Sequence, residues 1–265
     1  MSNTSRKKII QRYYSVRAKD YDRQKSRTWK SEQGFGAEVF EELLDALGGF
    51  ENKTILEVGV GSGRNAKPLL EKISLRFVGL DLTKEMLYAA KNKMSACKRH
   101  FDLILGDAEH LPFVTRAFDA ALCMSTMHYF ADQEKVLEHL ARLLKEKGTF
   151  VYGDLSPHES DNQGFFETLE RTVSKAHSRY YKASEMQKLL ENHEFHVSRM
   201  KTISYRKHYR SLIEDKGNYF GVTSEELHRY VQNANRETKE QYGLTETELT
   251  QFYTVITATK KTKSK

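Results

Sequence analysis

What the chain lacks narrows it first. No run of 18 apolar residues occurs in its 265 residues, so no helix is expected to span a membrane. The start, MSNTSRKKII, has no apolar core of the kind that marks a secretory signal. Its Arg-rich, acid-poor character leaves an organelle transit peptide as the alternative to a structural N-terminal segment. Only two cysteines are present, Cys97 and Cys123. They imply no disulfide framework and cannot form a four-cysteine metal site. Cys123 lies in an apolar run and reads as a core residue, and a reducing cytoplasm is the expected compartment. The histidines show no metal-ligand spacing, and no internal repeat is visible.

Charge is present but unevenly spread. The net charge is +7. Residues 1–30 hold ten Lys/Arg against two Asp, a net of +8, and the last six residues add +4. The remaining 229 residues therefore sum to −5. A mildly acidic body argues against a nucleic-acid binder that uses its whole surface. The basic ends read as a solvated helix face and a frayed Lys-rich tail, or as a local site for an anionic partner.

From about residue 50 the pattern alternates between short apolar runs and amphipathic ones. KTILEVG, LRFVGLD, FDLILGD, AFDAALCM and GTFVYGD read as strands. RNAKPLLEKI, TKEMLYAAKNKM (with Thr83 as its cap) and DQEKVLEHLARLLKE read as the helices between them. Continuous apolar strands separated by helices predict an α/β, doubly wound, parallel sheet. Ahead of it, residues 5–22 carry a stripe of Ile9, Ile10, Tyr13, Tyr14, Val16 and Tyr21 that predicts a helix broken near Asp20, and residues 34–47 predict a second. Beyond it, residues 161–178 and 183–193 predict helices. EFHVSRMKTISY and LTQFYTVITATKK predict two more strands, with about 40 polar, Tyr-rich residues between them. An insertion of that length is expected to form a lid over the end of a sheet.

The chemistry concentrates in ILEVGVGSGRNA. A glycine turn after a first strand lets backbone N–H groups approach a ligand. A dinucleotide fingerprint would read G-x-G-x-x-G, but Gly59, Gly61 and Gly63 give G-x-G-x-G, and Arg64 stands in the third fingerprint slot. Asp81 ends the second strand 20 residues after Gly61 and can accept two hydrogen bonds from a ribose diol. Asp107, after the third strand, can accept from an adenine amino group. Glu57, inside the glycine strand, suits a ligand that carries an ammonium and a sulfonium in place of phosphate. S-adenosylmethionine fits that description. Each acid also has a plain structural reading, as a strand-end or buried carboxylate.

LEVGVGSG, GLDLTKEML, GDAEHLPF and FDAALCMSTMHYF, in this order and spacing, resemble the class I S-adenosylmethionine-dependent methyltransferases. The nearest likeness is to the small-molecule group that includes the ubiquinone/menaquinone C-methyltransferases. It is strong over residues 50–155 and loose from about 10 to 205. It implies a Rossmann-like, seven-stranded sheet of order 3-2-1-4-5-7-6 with strand 7 antiparallel. It also implies an N-terminal helical arm over the cofactor site (residues 1–48), a core at 49–265, and a helical lid at about 206–245. By the same resemblance the loop Gly59, Val60, Gly61 to Gly63 cradles the methionine part, with Glu57 beneath it. Asp81 holds the ribose, Leu82 and Met86 pack on the adenine, Asp107 and Ala108 meet its edge, and Met124 and Ser125 lie along the methionine chain. Family members often carry Tyr-Asp in the arm, here Tyr21-Asp22, so Tyr21 is a candidate to close over the cofactor.

Catalytic candidates are His128, Tyr21 and Tyr14. His128 follows the fourth strand, where a base or a packing residue would both fit. Asp154 is a similar candidate on the rim. The expected partner is a small molecule, and S-adenosylhomocysteine the expected product, made by a monomer or homodimer. MSTMHYF stands where amino-methylating enzymes of protein and DNA carry (N/D)PP(Y/F), and two cysteines are too few for an arsenite enzyme. The aromatic lid residues Tyr205, Tyr209, Tyr219, Phe220 and Tyr230 suit either closure over a pocket or packing onto the sheet. An RNA methyltransferase and a non-catalytic cofactor-binding protein remain the alternatives.

Overall fold

The computed structural model describes residues 3–22 and 35–262. The middle of the proposed N-terminal arm (23–34) and the last three residues of the Lys-rich tail therefore lie outside the described residues. Seven strands form one sheet in the order β3-β2-β1-β4-β5-β7-β6. They are β1 Thr54–Val58, β2 Arg76–Asp81, β3 Phe101–Leu105, β4 Phe118–Met124, β5 Leu144–Ser156, β6 Phe195–His208 and β7 Glu248–Lys260. β7 runs antiparallel to both β5 and β6, and the other neighbouring pairs are parallel. This is the doubly wound architecture that the sequence predicts.

The strands read as unbroken apolar runs because both faces of the sheet are covered. Along β4, Ala120, Leu122 and Met124 enter one core, while Ala121 and Cys123 enter the other. The first core is closed by α2 (Phe35–Ala46), α3 (Ala66–Lys72) and α4 (Lys84–Met94). The second is closed by α5 (Gln133–Leu143) and α7 (Ala183–Asn192). Since the order reverses between β1 and β4, a crevice opens at the carboxyl ends of these two strands, where ligands of such sheets bind.

Local differences from the sequence reading have identifiable causes. α5 stops at Leu143, and Leu144 already begins β5, although LLKE continues the helical period. Lys147 at φ 59° then marks the irregular start of that strand, where its register with β4 shifts. The helix expected at 161–178 is shorter, α6 Phe165–Val173. Asp161 starts it by accepting the N–H groups of Phe165 and Phe166 at 3.0 Å each. Thr83 stands at the N-cap of α4 but makes no side-chain cap. Its own N–H instead donates to Asp81 Oδ1 at 2.8 Å. Val16 is 67% exposed and does not belong to the buried stripe of α1 (Asn3–Arg17). Lys260 is not part of a frayed tail: it is buried and donates through Nζ to Leu144 O at 2.9 Å.

His208 of β6 pairs with Glu248 of β7, so the lid leaves and rejoins the sheet at one point. Between them, helical residues from Tyr209 to Phe220 precede α8 (Ser224–Gln232) and α9 (Arg236–Gln241). Most lid aromatics fasten the lid down. Tyr209 donates to Glu248 O at 2.7 Å, and Tyr230 donates to Phe165 O at 2.9 Å. Tyr219 and Phe220 pack against Tyr13 of α1. Among the described residues no helix is long and apolar enough to cross a membrane.

Candidate active site

Two chambers meet at the carboxyl ends of β1 and β4. Tyr14, Tyr21, Arg64, Ser125 and Tyr129 line both.

The glycine turn builds the first chamber. Gly59, Gly61 and Gly63 all have positive φ (75°, 56° and 74°), which an L side chain adopts only under strain. Gly59 and Val60 donate their N–H groups to Leu80 O, at 2.7 and 3.0 Å, tying the turn to the end of β2. Asp81 completes the tie. Its Oδ2 accepts Gly61 N–H at 2.8 Å while Oδ1 accepts Thr83 N–H. A carboxylate has about four acceptor positions, so Asp81 keeps capacity for a ligand in the chamber it lines. Burial raises its pKa to about 6, against the backbone N–H bonds that favour the charge.

Of the cofactor residues read from the sequence, Gly59, Val60, Gly61, Asp81, Leu82, Met86, Asp107, Ala108, Met124, Ser125 and Tyr21 all line this chamber. Glu57 and Gly63 do not. Gly63 packs away from it, where a Cβ would lie 3.4 Å from Ala90 Cβ and Met94 Cε. Glu57 sits under the loop, buried, with Oε1 accepting from Asn65 Nδ2 at 3.0 Å. Asn65 lines the chamber, so Glu57 reaches it through that amide. Glu57 Oε2 has no hydrogen-bond partner among the described residues. Burial pushes the Glu57 carboxyl up to about 7, with Asn65 and the Arg64 charge working downward.

α1 covers the chamber. Lys7 Nζ lies 2.6 Å from both Asp107 Oδ2 and Glu109 Oε2. Burial works upward on both acids, yet the Lys7 contact and the N–H groups donated to them leave their pKa values below the ordinary range. Asn3 donates to Glu109, and Gln11 donates to Leu82 O. Lys7, Ile10 and Glu109 were missed in the sequence. The available signal was helical spacing, since Lys7, Ile10, Tyr14, Arg17 and Tyr21 fall at alternate steps of three and four and all line one chamber or the other. Lys7→Ala is expected to speed amide hydrogen exchange along α1 while leaving β1 and β4 protected. Unchanged exchange in α1 would mean that the lysine does not hold the arm.

The second chamber assembles residues from distant elements. His128 enters from the turn after β4, Asp154 from β5, Glu170 from α6 and Tyr180 from the following loop. Lys207 comes from β6 and Lys216 from the lid. Ser125 stands at the junction with φ 53°, a conformation costing a non-glycine residue about 1–3 kcal/mol. Its N–H donates to Gly153 O, and its hydroxyl shares a 2.9 Å hydrogen bond with Tyr253. Tyr14 donates to the Tyr129 hydroxyl at 2.8 Å. Burial pushes the Tyr14 phenol well above its ordinary value, which keeps it a donor and unsuited to act as a base. Of the catalytic candidates, Tyr14 and Tyr21 thus stand at the junction and His128 in the second chamber alone. Of the five aromatics expected in the lid, Tyr205 is the one that lines either chamber, and it belongs to β6 and not to the lid.

A seven-stranded sheet of this order, with its crevice at the glycine turn, matches the Rossmann-like fold of the class I methyltransferases. Residues 56–152 match the family described as Methyltransferase domain, and this match together with the sheet order supports a methyltransferase of the class I fold. It is similar to the uncharacterized methyltransferase YcgJ of Bacillus subtilis, at 25% identity over 72% of this chain and 76% of that protein. The crystal structure of YcgJ aligns with a TM-score of 0.74 at 21% identity, covering 84% of this chain and 98% of that one. A crystal structure of a Bacillus halodurans protein aligns with a TM-score of 0.76 at 22% identity, covering 84% of this chain and 99% of that one. The likeness to demethylmenaquinone methyltransferase of Thermotoga maritima is 35%, over 39% of this chain and 44% of that protein. The chain thus spans less than half of that quinone enzyme, and the likeness to the quinone group is loose.

Proposed function

We propose that the protein moves a methyl group from S-adenosylmethionine to a small molecule held in the second chamber. One observation carries this reading: a chamber lined by strand-end carboxylates opens, through Ser125 and Tyr14, into an aromatic chamber with its own polar groups. The donor set fits the nucleoside. Asp81 has acceptor capacity for the ribose hydroxyls, and Met86 and Leu82 supply an apolar wall for the base. Glu57 places an orphaned carboxylate oxygen near the glycine turn, where a cationic amino-acid tail finds its counter-charge. Asp107, Ala108 and Met124 complete the cradle, and Tyr21 with α1 closes it. When bound, the sulfonium supplies an activated methyl group. The chain's task is then to orient the acceptor and exclude water, which is worth about 7–11 kcal/mol in well-aligned reactants.

The small acceptor is favoured over RNA by the second chamber itself, which lies beneath α1 and the lid. The basic residues of α1 also turn partly inward: Lys7 engages Asp107 and Glu109, and Arg6 donates to Ser178. Calorimetric titration with S-adenosylmethionine, S-adenosylhomocysteine and NAD tests the cofactor. The first two are expected to bind and NAD is not. Asp81→Ala is expected to weaken binding at least tenfold, about 1.4 kcal/mol. Unchanged affinity in that variant would misplace the ribose, and no binding of either adenosyl ligand would remove the proposal.

A further inference from the structure

We infer that the acceptor is methylated on a hydroxyl oxygen, with His128 as the base that takes the hydroxyl proton and Asp154 as the residue that positions it. This rests on the methyl-transfer reading above and names the substrate class of its second chamber.

The argument starts from the two nitrogens of one imidazole. His128 is 5% exposed and Asp154 is 1% exposed. His128 Nδ1 lies 2.9 and 2.8 Å from the two carboxylate oxygens of Asp154. The His128 backbone N–H also donates to Asp154, at 3.3 Å, and Leu155 N–H donates to the same carboxylate at 3.0 Å. A carboxylate held this way accepts, so Nδ1 must carry the proton and donate. Nε2 is then left with its lone pair. It is buried and has no hydrogen-bond partner among the described residues. A buried acceptor without a donor costs about 1–3 kcal/mol, and an acceptor molecule that brings an X–H group to Nε2 removes that cost.

The surroundings specify the kind of X–H. The imidazole lies between the rings of Tyr129 and Tyr180, at centroid distances of 4.0 and 4.6 Å, with His177 at 5.9 Å. Glu170 and Lys216, paired at 2.8 Å, line the same chamber, and Glu170 Oε1 is a second buried acceptor without a partner. Burial lowers the His128 pKa, Lys216 and His177 lower it further, and Asp154 acts upward. The ring is therefore neutral at pH 7. A neutral amine or a thiolate attacks a methyl group without help, whereas a hydroxyl or an acidic carbon must shed a proton to a base such as an oriented neutral imidazole, and of these two the hydroxyl is the one that hydrogen-bonds to the Nε2 lone pair. In the step, the acceptor's O–H proton passes to Nε2 and its oxygen bonds to the methyl carbon. The carbon–sulfur bond breaks with its electron pair on sulfur, leaving a neutral thioether. Asp154 stabilises the imidazolium that results.

Two experiments decide the matter. The first needs no turnover: nitrogen NMR of the ¹⁵N-histidine-labelled protein is expected to show His128 neutral at pH 7, protonated on Nδ1, and titrating below the ordinary histidine value. An imidazolium at pH 7, or a proton on Nε2, overturns the base. The second supplies S-adenosylmethionine carrying a ¹³C methyl to small-molecule extracts and reads the carbon shift of the product methyl. An O-methyl signal is expected. An N-methyl, S-methyl or C-methyl signal overturns the hydroxyl acceptor and leaves methyl transfer standing. No transferred label, with the nucleoside still bound by calorimetry, overturns methyl transfer itself and this inference with it. On the acceptor so found, His128→Asn is expected to lower kcat/KM by about a hundredfold or more and to abolish the acid limb of its pH profile. S-adenosylhomocysteine affinity should stay within about twofold, because His128 does not line the first chamber. Asp154→Asn is expected to slow transfer and move that limb to lower pH. A full rate with an unchanged profile in His128→Asn would overturn the assignment.

Discussion

Glu57→Gln is expected to make the ligand-free protein more stable above pH 7 and less able to hold S-adenosylmethionine. The carboxyl is 1% exposed, and its pKa is raised to about 7 from an ordinary value of 4.5. A raised folded-state pKa means that the folded protein binds the proton more tightly than the unfolded chain does. The stability contribution is therefore fully present below the unfolded value. It is lost as pH rises through about 7 and stays lost above that. A shift of this size corresponds to at most about 3 kcal/mol. Glutamine keeps the acceptor that Asn65 uses and removes the ionisation. Denaturant unfolding at pH 8 should show a gain of about 1–3 kcal/mol over wild type, shrinking toward zero by pH 5. The same gain at both values would trace it to packing and not to charge.

The second half of that result concerns the ligand. A buried, unpaired carboxylate is costly unless a cation arrives to pair with it. Under the proposed function the ammonium of the methionine tail is that cation, reached through the Asn65 layer. The empty protein then carries a penalty that binding relieves, and Glu57→Gln should lose at least tenfold in affinity while it gains stability. Opposite signs in the two measurements distinguish a ligand counter-charge from a structural acid, which would leave binding unchanged. Asp81 follows the same direction more weakly, since burial raises it to about 6.

These residues were legible in the sequence because the first chamber is made of consecutive loops. Each parallel strand delivers its next few residues to the same edge, so Gly59, Asp81, Asp107 and Ser125 converge once the strands are placed. The second chamber has no such local code. His128, Asp154, Glu170, Lys207 and Lys216 come from five different elements, and nothing in their spacing shows that they meet. Asp154 was visible as a candidate on the rim, but its bond to His128 required the register of β4 against β5, where Met124 pairs with Gly153. Element ends were lost where one residue serves two patterns. Leu144 completes the period of α5 and also opens β5, and tertiary pairing with Phe118 decides for the strand. The lid aromatics left two readings open in the sequence, and the structure decides for packing at Tyr209 and Tyr230, whose hydroxyls bind backbone carbonyls.

Gly59→Ala is expected to be the most damaging single methyl in the chain's glycine turn. Gly59 has φ 75°, and a Cβ there would lie 2.2 Å from Thr126 Cγ2 and 2.4 Å from Thr126 Oγ1. Two costs add. The left-handed backbone disfavours alanine by about 1–2 kcal/mol, and overpacking against a half-buried neighbour costs about 1–3 kcal/mol. Thr126 is poorly placed to yield, since its hydroxyl donates to Met124 O at 3.0 Å and lies 3.3 Å from Gly59 O. Any shift it makes moves the end of β4, and with it Ser125 and the junction of the two chambers. Denaturant unfolding should show a loss of about 2–5 kcal/mol, with S-adenosylhomocysteine affinity falling as well. Gly59→Ala combined with Thr126→Gly separates the two costs. The clash disappears with the threonine side chain while the backbone strain stays, so the pair should be less harmful than the sum of the single changes by about the overpacking energy, 1–3 kcal/mol. Strict additivity would mean that the turn and the end of β4 are not packed against each other, and that the close approach of Gly59 to Thr126 does not set the geometry of the site.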